Sequence, residues 1–125
     1  MDLSRRRKRI SELYRELKSP LEELFTRKPF IKGSCYELKT KCGKPACRCY
    51  RGEPHKATVL TWSEGGRSRM RVVKKAELAR IKAFTENYRR FRKGRAKAGA
   101  IMKEILTLAD EIEVEMLKIG KGEKK

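Results

Sequence analysis

The stretch ATVLTWSEGGRSRMRVV, residues 57–73, decides the fold that the sequence predicts. Residues 57–63 and 67–73 are predicted as strands on either side of Glu64, Gly65 and Gly66. A Gly-Gly centre suits a two-residue primed turn, because glycine accepts the positive φ angles that such a turn requires. We therefore predict a β-hairpin.

This turn fixes the register of the hairpin, with Trp62 opposite Arg69 and Leu60 opposite Arg71. Because side chains alternate along a strand, one face carries Trp62, Arg67, Arg69 and Arg71. The other face carries Val59, Met70 and Val72. Three arginines would make an unusual core, so we expect the Val and Met face to pack onto a helix over 76–93 and the arginine face to meet solvent or phosphate.

A third strand is predicted upstream of the hairpin. Residues 30–40, FIKGSCYELKT, contain no helix-forming run and hold β-branched and aromatic positions. The sequence thus predicts a small three-stranded antiparallel sheet. A three-stranded sheet backed by a helix resembles the arm-site-binding domains of tyrosine integrases, which lay the sheet in the major groove, and this is an analogy of fold alone.

Two helices are predicted before the sheet in the sequence. Leu3, Ile10, Leu13, Tyr14 and Leu17 recur at helical spacing. Ser19, Pro20 and Glu22 are typical of a helix start, so we expect a second short helix there.

A long C-terminal helix is predicted from a heptad pattern. Its positions are Ile81, Phe84, Tyr88, Phe91, Arg95, Ala98, Met102, Ile105, Ala109, Ile112, Met116 and Ile119. The pattern favours a homodimer with Ile105, Ile112 and Met116 at the seam. Gly94 and Gly99 each disfavour a helix interior by about 1 kcal/mol relative to alanine, which leaves open a break over 94–99. A broken helix would fold back on itself within one chain.

Charge identifies the expected partner. The 125 residues include 34 Lys and Arg and 16 Asp and Glu, which gives a net charge of +18 and a pI near 10.2. Such a chain attracts polyanions, of which nucleic acid is the commonest. No run approaches the roughly 18 apolar residues of a membrane span. The charged start, MDLSRRRKRIS, lacks the apolar core of a secretory signal. We therefore expect a cytoplasmic, nucleoid-associated protein.

The segment CGKPACRCYRGEPH holds a candidate metal site. Cys42, Cys47, Cys49 and His55 supply three thiolates and one imidazole, a ligand set that matches structural zinc. Cys35 could replace His55 or Cys49 as a ligand, or it could be a small core residue. The cysteines could instead form disulfides or stay as free thiols.

These features resemble an uncharacterised family of small basic prokaryotic proteins with a Cys-Gly-Lys-Pro-x-Cys-x-Cys loop. The resemblance covers roughly residues 31–93 and rests on matching motifs: Gly33, Ser34 and Tyr36, then 42–49, then Gly52 and His55, then 86–90. After His55 the chain has Lys56 and Ala57 where family members tend to have Gly-Pro and an aromatic run. The resemblance implies that the cysteines and His55 act as a unit, and it implies no particular activity.

Together these patterns predict an α+β fold in three segments: basic N-terminal helices over 1–29, a sheet and cysteine-loop domain with a packing helix over 30–93, and a heptad helix with a charged tail over 94–125. The function predicted is DNA binding through phosphate contacts and the major groove. The candidate contact residues are basic or aromatic: Arg5, Arg6, Arg7, Arg9, Lys44, Arg48, Trp62, Arg67, Arg69, Arg71, Arg89, Arg90 and Arg92.

Two further functions are compatible with the sequence, RNA binding and assembly through the heptad helix. An acidic stretch over 104–115 could also neutralise Arg5–Arg9 if the first helix packs along the last. No catalytic residues are predicted, since the chain has one histidine, no paired-acid motif and no glycine-rich phosphate loop, and neither a small-molecule substrate nor a membrane partner is expected.

Overall fold

The computed structural model describes residues 2–40, 46, 52 and 55–124. Helix α1 spans Leu3–Leu24, strands β1, β2 and β3 span Ser34–Thr40, His55–Glu64 and Arg67–Val72, and helix α2 spans Leu78–Lys121. Short 3-10 turns cover Lys75–Glu77 and Gly122–Lys124. The chain therefore has the predicted α+β fold.

The sheet has the predicted topology and register. Three antiparallel strands lie in the order β1-β2-β3, with Trp62 opposite Arg69 and Leu60 opposite Arg71. Gly65 and Gly66 form the turn with φ angles of 57° and 79°. Both angles are positive, as a primed turn requires.

The predicted assignment of the two sheet faces was only partly right, because Arg67, Arg69 and Arg71 are exposed but other residues of their face pack onto α2. Leu60, Cys35 and Trp62 share the arginine face, and they pack with Leu78 and Ile81 of α2. On the opposite face the central-strand residue Val59 is buried, but Met70 and Val72 of β3 are 60% and 61% exposed. The arginines can share a face with buried residues because they lie on edge strand β3, where their charged ends stay in water. The central strand supplies the apolar side chains of that face.

The chain forms two compact units, one of residues 1–27 with 90–125 and one of residues 28–89. In the second unit, Ile31 donates its N–H to the Phe84 carbonyl and Asn87 donates to the Pro29 carbonyl, at 3.1 Å each. Phe30 meets Tyr88 edge to face, with ring centroids 5.9 Å apart. These contacts fix the segment before β1 against the first turns of α2.

In the first unit, α1 and the C-terminal part of α2 pack as an antiparallel pair. Their core contains Leu13, Leu17, Ala98, Ile101 and Leu108. The direction follows from the ion pairs, since Arg6 meets Glu111 whereas Glu23 meets Arg90. The predicted N-terminal and C-terminal segments thus belong to one unit.

The second short helix expected at Ser19 is not a separate element. Helix α1 continues through Pro20, which is buried. Proline removes one helical hydrogen bond and costs about 3 kcal/mol inside a helix. Leu17 before Pro20 and Leu21 after it both pack against the same core, so that continuing the helix places both leucines on one buried face.

Helix α2 is also continuous where a break was considered, since it runs through Gly94 and Gly99. A Cβ on Gly94 would lie 2.8 Å from the Glu23 Cβ and 3.1 Å from the Pro20 carbonyl oxygen. Gly94 therefore allows the close approach of α1. The weak helix propensity of glycine suggested a break at this position and gave no sign of this packing role.

Candidate nucleic-acid interface

The tip of the hairpin is a two-stranded ribbon. Strand β1 pairs with β2 only as far as Ser34 opposite Thr61. Beyond that point Trp62, Ser63 and Glu64 pair only with Arg69, Ser68 and Arg67. A two-stranded ribbon of this kind is narrow enough to enter the major groove of duplex DNA, which is about 12 Å wide.

The three predicted hairpin arginines differ in their ion pairing. Arg67 and Arg69 are exposed and make no ion pair with any residue in the described part of the chain. Arg71 instead donates to the Glu77 carboxylate at 2.6 Å. This hydrogen bond, followed by one from the Lys74 N–H, holds the pKa of Glu77 below its ordinary value of 4.5.

The tip also carries an aromatic ring and a carboxylate. Trp62 is half-buried against the core of its unit, and its indole N–H donates to Glu64 at 3.3 Å. Glu64 lies opposite Arg67 on the arginine face. The carboxylate places a negative charge among the groups that would meet phosphate, so it opposes rather than assists anion binding.

The N-terminal arginines are largely engaged within their own unit. Arg6 pairs with Glu111 and Arg9 with Glu104, each at 3.1 Å, while Arg5 lies 3.9 Å from Asp2. Arg7 donates to the Met116 sulfur at 3.7 Å. Hydrogen bonds to Glu104 and then Glu12 raise the pKa of Arg9. The acidic stretch of α2 thus neutralises part of this cluster, as the sequence allowed.

The predicted basic run on α2 is divided in the same way. Arg89 pairs with Glu86 at 3.2 Å in the unit of the sheet. In the helical unit, Arg90 pairs with Glu23 at 3.1 Å. Arg92 is exposed, with no ion pair to the part of the chain that the structure covers. The spacing of basic residues along the chain cannot show that Arg90 is paired, because its partner Glu23 comes from a distant segment.

The proposed zinc ligands Cys42, Cys47 and Cys49 lie outside the described residues, as do Lys44 and Arg48. His55 opens β2 directly opposite Thr40, so the sheet joins the two ends of the cysteine segment. Cys35 packs against Leu60 and its neighbours as a core residue, five positions before the end of β1 and on the other face from His55. Within ranges 2–40 and 55–124 no group of three His, Cys, Asp or Glu side chains could hold a metal.

One basic feature of the helical unit was not predicted from the sequence. An open groove of about 210 Å³ is lined by Ser19, Pro20, Glu23, Arg90, Lys93, Gly94 and Lys97. The signal was present in the spacing of Arg90, Lys93 and Lys97, which places all three on one side of a helix. Its partner surface on α1 depends on the antiparallel packing, which the spacing does not specify.

Residues 1–83 match the family described as Domain of unknown function (DUF6788), and because the match covers most of the chain, the protein belongs to that family. Comparisons with curated proteins and with solved structures found no significant match. Among the helices described, none is both long and apolar enough to cross a membrane.

Proposed function

We propose that the protein binds nucleic acid, with duplex DNA as the preferred form, and that the ribbon of β2 and β3 makes the principal contact. The observation that carries the proposal is the exposure of Arg67 and Arg69 at the tip of that ribbon, with no acidic partner among the described residues. Arginine can contact phosphate or pair bidentately with guanine, and a ribbon presents it to either.

The charge of the surrounding unit supports this proposal. Residues 28–89 contain 16 Lys and Arg against five Asp and Glu. Among the ion pairs of the unit, Arg71, Arg80 and Arg89 share only two carboxylates, those of Glu77 and Glu86. The unit therefore carries a strong net positive charge, and association with a polyanion steered by such a field weakens as salt screens it.

The test is a salt-dependent titration of the wild type and of the double variant Arg67→Ala/Arg69→Ala against duplex DNA, single-stranded DNA and duplex RNA. The double variant should weaken duplex binding and reduce the log-log salt slope by roughly 1.8, since each phosphate contact on B-DNA contributes about 0.9. Uniform loss across sequences indicates phosphate contacts, whereas relaxed preference at one base pair indicates an edge contact.

A matched control is Lys121→Ala/Lys124→Ala, which removes the same number of charges at the end of the chain. It should change the affinity much less than the hairpin variant. Wild-type affinity and slope in the hairpin variant would contradict the proposed interface. Tighter binding to duplex RNA than to DNA would assign the protein to the RNA-binding class instead.

We further propose that Cys42, Cys47 and Cys49 bind one zinc ion together with His55. The pairing of His55 with Thr40 supports this ligand set, because it holds the histidine at the base of the segment that contains the three cysteines. The packing of Cys35 in the core disfavours it as the fourth ligand. Zinc would then brace the connection between β1 and β2, and the proposed role is structural.

A further inference from the structure

The charges of α2 are divided into two blocks along the helix. Residues 92–103 contain five bases and no acid, which are Arg92, Lys93, Arg95, Lys97 and Lys103. Residues 104–117 contain five acids and no base, which are Glu104, Asp110, Glu111, Glu113 and Glu115. Helix α1 engages Glu104 and Glu111, and Lys118 engages Glu115. Asp110 and Glu113 make no ion pair with the rest of the described chain.

A second heptad stripe lies on α2 beside the face that α1 covers. At 100° per residue, the positions Arg95, Gly99, Met102, Leu106, Ala109 and Glu113 follow one line. All six are exposed, with Met102 at 40% and Leu106 at 56%. The stripe has an apolar centre, a base at one end and an acid at the other, and no described element covers it.

Gly99 is the residue that the single chain does not explain. Gly94 makes room for α1, but a Cβ on Gly99 would meet no atom of the described residues within 4 Å apart from its own stretch of helix. A glycine in the middle of a long helix weakens that helix, so open space around it leaves the position without a benefit in the monomer. A close approach by a second helix would supply one.

We propose that this stripe is the interface of a homodimer, in which two copies of α2 pair antiparallel about a two-fold axis between residues 102 and 106. In this register Arg95 faces Glu113 of the second copy, Gly99 faces its Ala109, and Met102 faces its Leu106. Each contact occurs twice, as a two-fold interface requires. The proposal does not depend on nucleic-acid binding.

Charge complementarity selects the antiparallel arrangement. Arg95 and Glu113 are eighteen residues apart, which is five full turns of helix, so both point along the same line. A parallel pair would place Arg95 against Arg95 and Glu113 against Glu113. Lys103 is unfavourable because it lies near the two-fold axis, close to Lys103 of the second copy. Its long exposed side chain can, however, turn toward solvent. The small pair of Gly99 and Ala109 allows close approach on both sides of the apolar centre.

This interface differs from the seam that the heptad pattern suggested. Ile105 packs against the in-chain core with α1, so it is not available to a partner. Met116 is partly exposed and accepts a hydrogen bond from Arg7. The open stripe shares Arg95, Met102 and Ala109 with the predicted heptad, but it contains Gly99, Leu106 and Glu113 in place of Ala98, Ile105 and Ile112.

The test is sedimentation equilibrium of the full chain at moderate salt, with charge variants of the stripe. The wild type should dimerise. Arg95→Glu and Glu113→Arg should each weaken the dimer at least about tenfold, because each replaces two attractive pairs by two repulsive ones. The double variant Arg95→Glu/Glu113→Arg should restore the wild-type affinity at the wild-type net charge.

Lys93→Glu is the matched control, since it changes the charge as Arg95→Glu does but lies on another side of the helix and should leave the dimer intact. Gly99→Leu should dissociate the dimer while circular dichroism shows the helix content unchanged. A wild-type chain that stays monomeric overturns the proposal. A dimer that ignores the two reversals, or one that the double variant fails to restore, also overturns it.

Discussion

Glu77 fixes the passage from β3 into α2. Its carboxylate accepts from the Arg71 guanidinium and from the Lys74 N–H, at 2.6 and 3.0 Å. Because both donors favour the charged form, the pKa of Glu77 is lowered. A lowered pKa stabilises the fold above the ordinary carboxyl pKa, and that contribution disappears as the pH falls through the lowered value.

We therefore expect Glu77→Gln to lower the melting temperature by a few degrees at pH 7. The difference from wild type should shrink as the pH falls from the ordinary pKa of 4.5 through the lowered pKa of Glu77, because the unfolded chain is protonated first and the folded Glu77 then becomes neutral as well. Thermal melts from pH 7 to pH 3 measure this. Glu37→Gln, at an exposed position of β1, serves as the control. An undiminished difference at pH 3 would assign the effect to the amide and not to the lost charge.

At the same scale, the sequence predicted the turn glycines but not the packing glycines. Gly65 and Gly66 could be identified because a primed turn requires local backbone angles that only the neighbouring residues determine. Gly33 lies against Thr61 and Leu60, where a Cβ would come within 2.6 Å of the Thr61 carbonyl oxygen. This close approach arises from a segment 28 residues away, and no local pattern reports it.

Among the elements, the hairpin shows how far a pattern of alternation can be taken. It correctly gave the register and the residues that share each face, since the period of a strand is two. It could not say which face packs against α2, because that depends on the path of the chain into α2. Trp62 and Leu60 decided the outcome, since burying them removes more apolar surface from water than burying Met70 and Val72 on an edge strand would.

The second prediction about an element concerns the cysteine segment, which connects β1 and β2 in the sequence. We expect one zinc ion per chain in freshly reduced protein, measured by elemental analysis. Cys47→Ser should lose the ion and lower the melting temperature, because structural zinc contributes directly to the free energy of folding. Cys35→Ser is the matched control, since Cys35 packs in the core away from His55, and it should retain the metal. Protein without stoichiometric zinc would contradict the site.

At the scale of the whole molecule, the helical unit is built from the two ends of the chain. Leu13 is 1% exposed in its core, whereas the next residue, Tyr14, is 74% exposed. Leu13→Ala should lower the free energy of unfolding by about 2–5 kcal/mol, as truncation of a buried leucine does. Tyr14→Ala should change it by less than about 0.5 kcal/mol, as surface substitutions do. Chemical denaturation followed by circular dichroism measures both, and equal effects would contradict the packing of α1.

The pairing of the chain ends was only partly predictable. The amphipathic pattern identified α1 and α2, and the opposite charges of Arg5–Arg9 and 104–115 suggested that they meet. The antiparallel register, with Pro20 beside Gly94, could not be read from either helix alone. It depends on which small residue of one helix admits the backbone of the other.

The distance along the chain between the paired helices also bears on synthesis. Arg6 and Glu111 are 105 residues apart. The ribosome adds roughly 5–20 residues per second, so at least about 5–20 s pass between the emergence of Leu13 and that of Leu108. During this interval α1 has left the ribosome with its apolar face uncovered. Helix α1 is therefore made well before the part of α2 that buries it, and its apolar face stays exposed on the nascent chain during that time.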